Sequence, residues 1–442
     1  MKKKYVDFLF IYEIKPREIE SIALLGYELQ KRGYSVAYVN TWYCLDWIFK
    51  RRFSAKVVII HAAYNTATVD FALDYVKDFE KVVSLQWEQL LSVGQKDDKT
   101  TDYYIQGKSE KIVHFSWGQD NYKRLVVDCG LQPKNVKVVG HMGMDFLRPE
   151  FNGYYMSRDE ICEKYHLQKE IKICLFISSF SYVNIPEMYV PYVGDNFVQI
   201  SNKSQRFVLQ WFERILKERD DILFVYRPHP AEADNVFLLE MEKRAHNFRV
   251  INAYSVKQWI TIADKIYNWY STSLMEIFCA KKSCHLLRPI KMPEQYEIAI
   301  FQTADFIDNY DSFVSSIDSE DQFPVSDEEM YRYYYMDEKE ATYLKAAREL
   351  EKVYHDKDYV LPKDFHRREQ ISKRHILKTT IPGKMYMVLS LNIKKALGNK
   401  EADEELHFKK YSAKLKKKNY ASDKEIKGIM DKIDGCLNVN FK

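Results

Sequence analysis

Two short runs in the second half of the chain hold residue types that handle phosphate. The first is Tyr226-Arg227-Pro228-His229-Pro230-Ala231-Glu232. Arg227 is a permanent cation with a planar donor fork. His229 can donate to a phosphate oxygen or shuttle a proton near neutral pH. Pro228 and Pro230 restrict the backbone on either side and so aim the imidazole. The competing reading is a rigid turn whose His caps a nearby carbonyl. The second run is Trp269-Tyr270-Ser271-Thr272-Ser273-Leu274-Met275-Glu276. Its hydroxyls and the open N–H groups of a helix start would converge on an anion. Glu276, about one helical turn in, could accept from ribose hydroxyls. An ordinary cap, with Ser273 and Glu276 closing a capping box, competes with that reading. Both runs follow apolar stretches, 222–226 and 265–268, which places them at strand ends, where open α/β sheets bind ligands.

Proton acceptors are sparser. Glu88, in Ser84-Leu85-Gln86-Trp87-Glu88-Gln89, is a candidate general base. It is equally well read as a first-turn acid favoured by a helix dipole. His61, ending another strand, is the next candidate; His114 and His141 follow, although a lone His is more often structural. A DxD triplet occurs at Asp356-Lys357-Asp358, in a charged stretch where it reads as a solvated turn. GxGxxG, Walker A and HExxH are absent. We therefore expect no metal site and no cofactor. The charge on a phosphate would be met by Arg227 and His229, aided by helix N-termini. The seven cysteines form no CxxC pair, which fits free thiols in a reducing cytoplasm.

These residues need elements to position them. In the first 150 residues, apolar runs at 6–11, 35–39, 57–61, 82–86, 111–116 and 136–139 alternate with helical stripes, such as Ile19, Ile22, Ala23, Leu25, Gly26 and Leu29. Pro149, Asn152 and Gly153 interrupt the pattern. A second series follows at 171–177, 222–226, 249–251, 265–268 and 285–288, with amphipathic helices at 205–218 and 255–263. Strand–helix alternation predicts parallel sheets covered on both faces. The expectation is an α/β fold with two Rossmann-like lobes facing a cleft, 1–150 and 165–325. A helical, basic tail would span 326–442.

The arginine–histidine run followed by the serine cluster resembles the donor signature of GT-B-type enzymes that use CMP- or CDP-linked donors. Capsule Kdo transferases, bacterial polysialyltransferases and CDP-glycerol glycerophosphotransferases are of this kind. The resemblance implies that His229 and the Ser271–Thr272–Ser273 hydroxyls hold nucleotide phosphates, with 165–325 as the nucleotide-donor lobe and 1–150 as the acceptor lobe. The opening, 7–13 through 24–29, is similar to surface carbohydrate biosynthesis proteins, so the likeness runs over about 5–325. Relatives often carry QHG or WHG where this chain has Gln86-Trp87-Glu88, which lacks the histidine. The implied activity is a transferase of bacterial surface polysaccharide synthesis, moving a sugar or polyol phosphate from a nucleotide to a glycan or lipid-linked acceptor. A sugar-nucleotide epimerase of the UDP-GlcNAc 2-epimerase type and a non-catalytic assembly scaffold are the alternatives.

Bulk properties narrow the partners. The 33 Tyr and 25 Phe suit either concave ligand sites or plain cores. A net charge of +4 is too small to argue for nucleic acid. No stretch of about 18 uncharged apolar residues exists to span a membrane. The tail instead alternates cations (Arg367, Arg368, Lys373, Arg374, Lys378, Lys384, Lys394, Lys395, Lys400) with an apolar patch at 385–391. That composition suits peripheral contact with an anionic inner-membrane face. Packing of the segment back on the first lobe is the competing expectation.

Overall fold

The computed structural model describes residues 4–41, 51–97, 103–183, 185, 190–230, 232, 235–320, 325–334, 339–366, 381–398, 406 and 417–439. The chain divides into two units, 1–89 with 102–143 and 335–432, and 90–101 with 144–334 and 433–442. The segment 326–442 is thus shared between the units rather than forming a third.

Among the described residues the first unit holds six parallel strands: β1 (Lys4–Tyr12), β2 (Val36–Asn40), β3 (Phe53–Ile60), β4 (Val76–Ser84), β5 (Val113–Ser116) and β6 (Val136–Val138). Their order is β2-β1-β3-β4-β5-β6. The β3 run Val57-Val58-Ile59-Ile60 is buried throughout, as a central parallel strand covered on both faces must be. The connection order reverses between β1 and β3, and this switch point opens a crevice at their carboxyl ends.

The second unit repeats the plan with β7 (Lys172–Ile177), β8 (Ile222–Arg227), β9 (Phe248–Val250), β10 (Lys265–Asn268), β11 (His285–Leu287) and β12 (Asp305–Ile307). All are parallel, in the order β12-β11-β10-β7-β8-β9. The switch point lies between β7 and β10. Arg227 and Asn268 both pair with Ile177, so the ends of β8, β7 and β10 are level. Eleven of the twelve strands follow apolar runs. Sequence reasoning misses β12 because its first two residues, Asp305 and Phe306, are exposed.

Residues 342–366 return to the first unit. The helix Thr342–His355 ends on a buried lysine: Lys81 Nζ donates to the carbonyls of Val353 (2.6 Å), Tyr354 (3.1 Å) and Asp356. This satisfies carbonyls a helix end leaves open. Tyr359 donates to the Val82 carbonyl, and Leu361 and Phe365 join the core under the sheet. Asp356 Oδ1 accepts from the N–H groups of Asp358 and Tyr359, so the DxD triplet is an exposed turn. Of the basic tail, Arg367, Arg368, Lys373, Arg374, Lys378 and Lys400 lie outside the described residues. In the helix Ile381–Ala396, Met385, Tyr386, Val388, Leu389 and Ile393 are exposed, as are Lys394 and Lys395. Among the described residues no helix is long and apolar enough to cross a membrane.

Candidate functional site

At the carboxyl edge of the second sheet, the turn after β8 is held by a carboxylate. Glu232 is buried and accepts from Tyr226 Oη (2.7 Å), Ser178 Oγ (2.6 Å) and the His229 N–H (3.1 Å). Tyr226 Oη also lies 2.9 Å from Ser178 Oγ. Burial pushes the Tyr226 phenol well above its ordinary value, so it stays a donor to Glu232 at any physiological pH. With both prolines restricting the chain, this network orients His229, whose side chain is half-buried at the edge. Arg227 turns the other way. Its guanidinium donates to the carbonyls of Ile251 (3.3 Å), Ala253 (3.0 Å) and Tyr254. Its fork secures the 251–254 loop, where the sequence suggests a phosphate ligand.

The serine run sits across β7. Tyr270 takes a left-handed φ of 55°, a conformation uncommon for a bulky residue and noted at functional turns. Asn268 brackets the turn: its side chain donates to the Ser271 carbonyl (2.7 Å) and accepts from the Ser271 N–H (2.8 Å). Ser273 N–H donates to Ser271 Oγ at 3.3 Å, and the Leu274 and Met275 N–H groups close on the carbonyls of Ser271 and Thr272. These N–H groups are used within the turn, so a ligand here would meet side chains. Thr272 is exposed; Ser273 and Glu276 are half-exposed. Ser273 makes no side-chain cap, so no capping box forms.

One cation at this edge escapes sequence reasoning. Arg288, directly after β11, is 5% exposed. None of its three guanidinium nitrogens has a hydrogen-bond partner among the described residues. Its nearest counter-ion is Glu297, at 3.7 Å. Rings of Tyr270, Phe301 and Phe306 lie within 5.3–5.9 Å of it. Burial pushes the Glu297 carboxyl up, against the pull of Arg288. A buried guanidinium with all donors open lacks the bonds such groups usually make. The only local signal was an Arg at a strand end.

In the first unit, Glu88 is paired with Arg17, with 2.7 Å between Nη1 and the carboxylate. Arg17 also contacts buried Glu18, and the two carboxylates hold it firmly charged against its burial. His61 is 8% exposed, with Nε2 3.7 Å from Glu13 Oε2. His141 accepts from the Gly143 N–H at 3.0 Å and packs on Trp117 and Trp87. A Cβ on Gly143 would meet that ring at 2.8 Å.

His114 is wholly buried, with its Nε2 2.7 Å from the Ser109 carbonyl. Burial pushes it down to about 4 from the 6.5 of an ordinary imidazole, so it is a neutral structural donor. Between those values the unfolded chain binds a proton that the folded chain refuses. Stability is therefore complete above about pH 6.5 and falls as pH drops toward 4, by about 3 kcal/mol for this group. His114→Asn should flatten that limb in denaturant titrations run from pH 7 to 4. An unchanged limb would mean that other groups control acid unfolding.

No protein-family model matches the chain, and no curated protein matches it in sequence. Solved structures do share its fold. Staphylococcus aureus MnaA with UDP aligns with a TM-score of 0.50 and 15% identity, over 81% of this chain and 98% of that one. UDP-GlcNAc 2-epimerase from Neisseria meningitidis, bound to UDP-GlcNAc, gives 0.50 and 13%, over 79% and 100%. The wall teichoic acid polymerase TagF gives 0.51 and 12%, over 79% and 89%. The shared fold is GT-B-like, an α/β plan of two parallel sheets. Identities this low carry the fold and no particular activity.

Proposed function

We propose that the chain is a transferase that takes a nucleotide-linked donor, CMP- or CDP-activated, in the synthesis of a bacterial surface carbohydrate. The observation that carries this reading is the carboxyl edge of the second sheet. There His229, oriented by buried Glu232, and the Ser271–Ser273 turn flank the switch point at β7, and Arg288 keeps open donors at the end of β11. An anionic diphosphate is the ligand such an edge suits. Arg288 takes the cation role that the sequence suggests for Arg227. Thr272 and Ser273 supply hydroxyls, and Glu276 remains the candidate for ribose. The acceptor would be a glycan or a lipid-linked glycan, with the exposed apolar residues of the 381–396 helix, Met385, Tyr386, Val388, Leu389 and Ile393, as a contact to an anionic membrane.

A thermal-shift panel with CMP, CDP, UDP and GDP tests the reading. Ligand bound only by the folded state stabilises it, by about 2.7 kcal/mol at a hundredfold excess over Kd. CMP or CDP should give the largest shift. A larger UDP shift, with turnover of UDP-GlcNAc by the pure protein, would favour an epimerase. No shift with any nucleotide would leave a scaffold.

A further inference from the structure

The transferase reading requires a group to take the acceptor's proton, and the inference below rests on that reading. Glu88 is a poor choice, because its carboxylate faces the Arg17 guanidinium at 2.7 Å. Its Oε1 already accepts from the guanidinium, so an acceptor hydroxyl would have to displace a charge-assisted bond to reach it. Another carboxylate stands at the switch point itself. Glu13 follows β1 and His61 follows β3, the two strands between which the order of the first sheet reverses.

We infer that Glu13 is the proton acceptor of this unit, with His61 behind it as a positioning residue. The Glu13 side chain is 32% exposed, and His61, at 9%, lies deeper. His61 Nδ1 is enclosed with no hydrogen-bond partner among the described residues, while Nε2 faces the carboxylate. Among the described residues, Glu13 is therefore the polar group that the ring faces. The backbone of Glu13 is tied on two sides: its N–H donates to Glu18 Oε2 at 2.9 Å, and its carbonyl accepts from Asn40 Nδ2 at 3.2 Å. The Asn419–Ala421 segment secures the neighbouring Asn40 and Tyr12.

The charged groups around Glu13 are His61 from β3, Arg17 and Glu18 from the helix Lys15–Lys31, and Glu88 after β4. Burial pushes the Glu13 carboxyl up; His61 and Arg17 pull it down, and Glu18 and Glu88 add to the rise. The net rise makes it a stronger base than an ordinary carboxylate while keeping it reachable. In the step, the acceptor hydroxyl passes its proton to Glu13. Its oxygen bonds to the transferred atom of the donor, an anomeric carbon or a phosphorus. The bond from that atom to the nucleotide's oxygen breaks, and the electron pair leaves with the nucleotide. Glu13 then returns the proton to solvent.

Two measurements decide this. Wild-type protein is labelled with carbodiimide and glycine ethyl ester across pH 5–8, and each site is read by peptide mass spectrometry. Glu13 should stay reactive to higher pH than an ordinary carboxyl, because the protonated carboxyl is the reactive form and burial pushes Glu13 up. Turnover is then followed as cytidine nucleotide released from CDP-glycerol, CMP-Kdo or CMP-sialate in the presence of acceptor. Glu13→Gln should lose roughly 10²–10⁴-fold in rate with CMP and CDP binding intact, whereas Glu88→Gln should lose far less. His61→Asn removes a group that favours ionised Glu13, so it should move the acid limb of the rate profile to higher pH. Labelling of Glu13 that ends at the pH of an ordinary carboxyl, or wild-type turnover by Glu13→Gln, overturns the assignment. If the wild type consumes none of the three donors, the transferase reading fails, and the labelling alone judges Glu13.

Discussion

Replacing Arg288 with Met and Glu297 with Gln together should leave the fold at least as stable while weakening CMP and CDP binding roughly 10- to 100-fold. The affinity loss corresponds to one or two charge-assisted bonds to phosphate, about 1.5–3 kcal/mol. Stability is expected to move the other way, because a buried ion pair exchanged for well-fitting neutral residues is often neutral or stabilising, by about 1–4 kcal/mol. The double substitution matters. Arg288→Met alone would leave the Glu297 carboxylate half-buried beside apolar rings, a cost unrelated to ligand. Calorimetric titration with CDP, beside thermal unfolding of the same samples, separates the two effects. If affinity is unchanged and stability drops, Arg288 is a packing cation, held by the rings of Tyr270, Phe301 and Phe306.

Glu232→Ala should show the opposite pattern, a loss of stability and of nucleotide binding together. The substitution strips three donors of their common acceptor: the hydroxyls of Tyr226 and Ser178 and the N–H of His229. Tyr226 and Ser178 are fully buried, so water cannot readily replace the carboxylate. Each unsatisfied buried donor costs about 1–3 kcal/mol, and about 3 kcal/mol in total is expected because the cavity admits partial relaxation. Nucleotide affinity should fall with it, since the His229 backbone loses its tether. Glu232→Gln keeps one acceptor oxygen and should retain more of both. Urea unfolding of the three proteins gives the ranking. Wild-type stability in Glu232→Ala would show that the two prolines alone define the turn.

Much of the scaffold was legible because parallel strands buried on both faces read as continuous apolar runs. The β3 run Val57-Val58-Ile59-Ile60 and the β8 run from Ile222 to Tyr226 are examples. The arginine–histidine and serine runs were legible as turns at strand ends, since proline and hydroxyl residues act on the backbone within a few positions. The exposed short strand Asp305–Ile307 carried no such signal. Nor did the return of residues 342–366 to the first unit, which depends on Lys81 meeting carbonyls about 270 positions away.

By itself, the sequence determined the α/β class, the two series of strands and the edges at which chemistry would sit. Only the tertiary structure decided which polar groups remain available at those edges. Arg227 and Arg288 both stand at strand ends, and nothing local separates them. Among the described residues, the fold gives one of them three carbonyls and leaves the other with none. Glu88 and Glu13 differ in the same way, one facing Arg17 and the other a buried imidazole. Apolar burial follows from periodicity along the chain, whereas the basicity and free donors of a charged side chain are set by partners within a few ångströms that come from elsewhere in sequence.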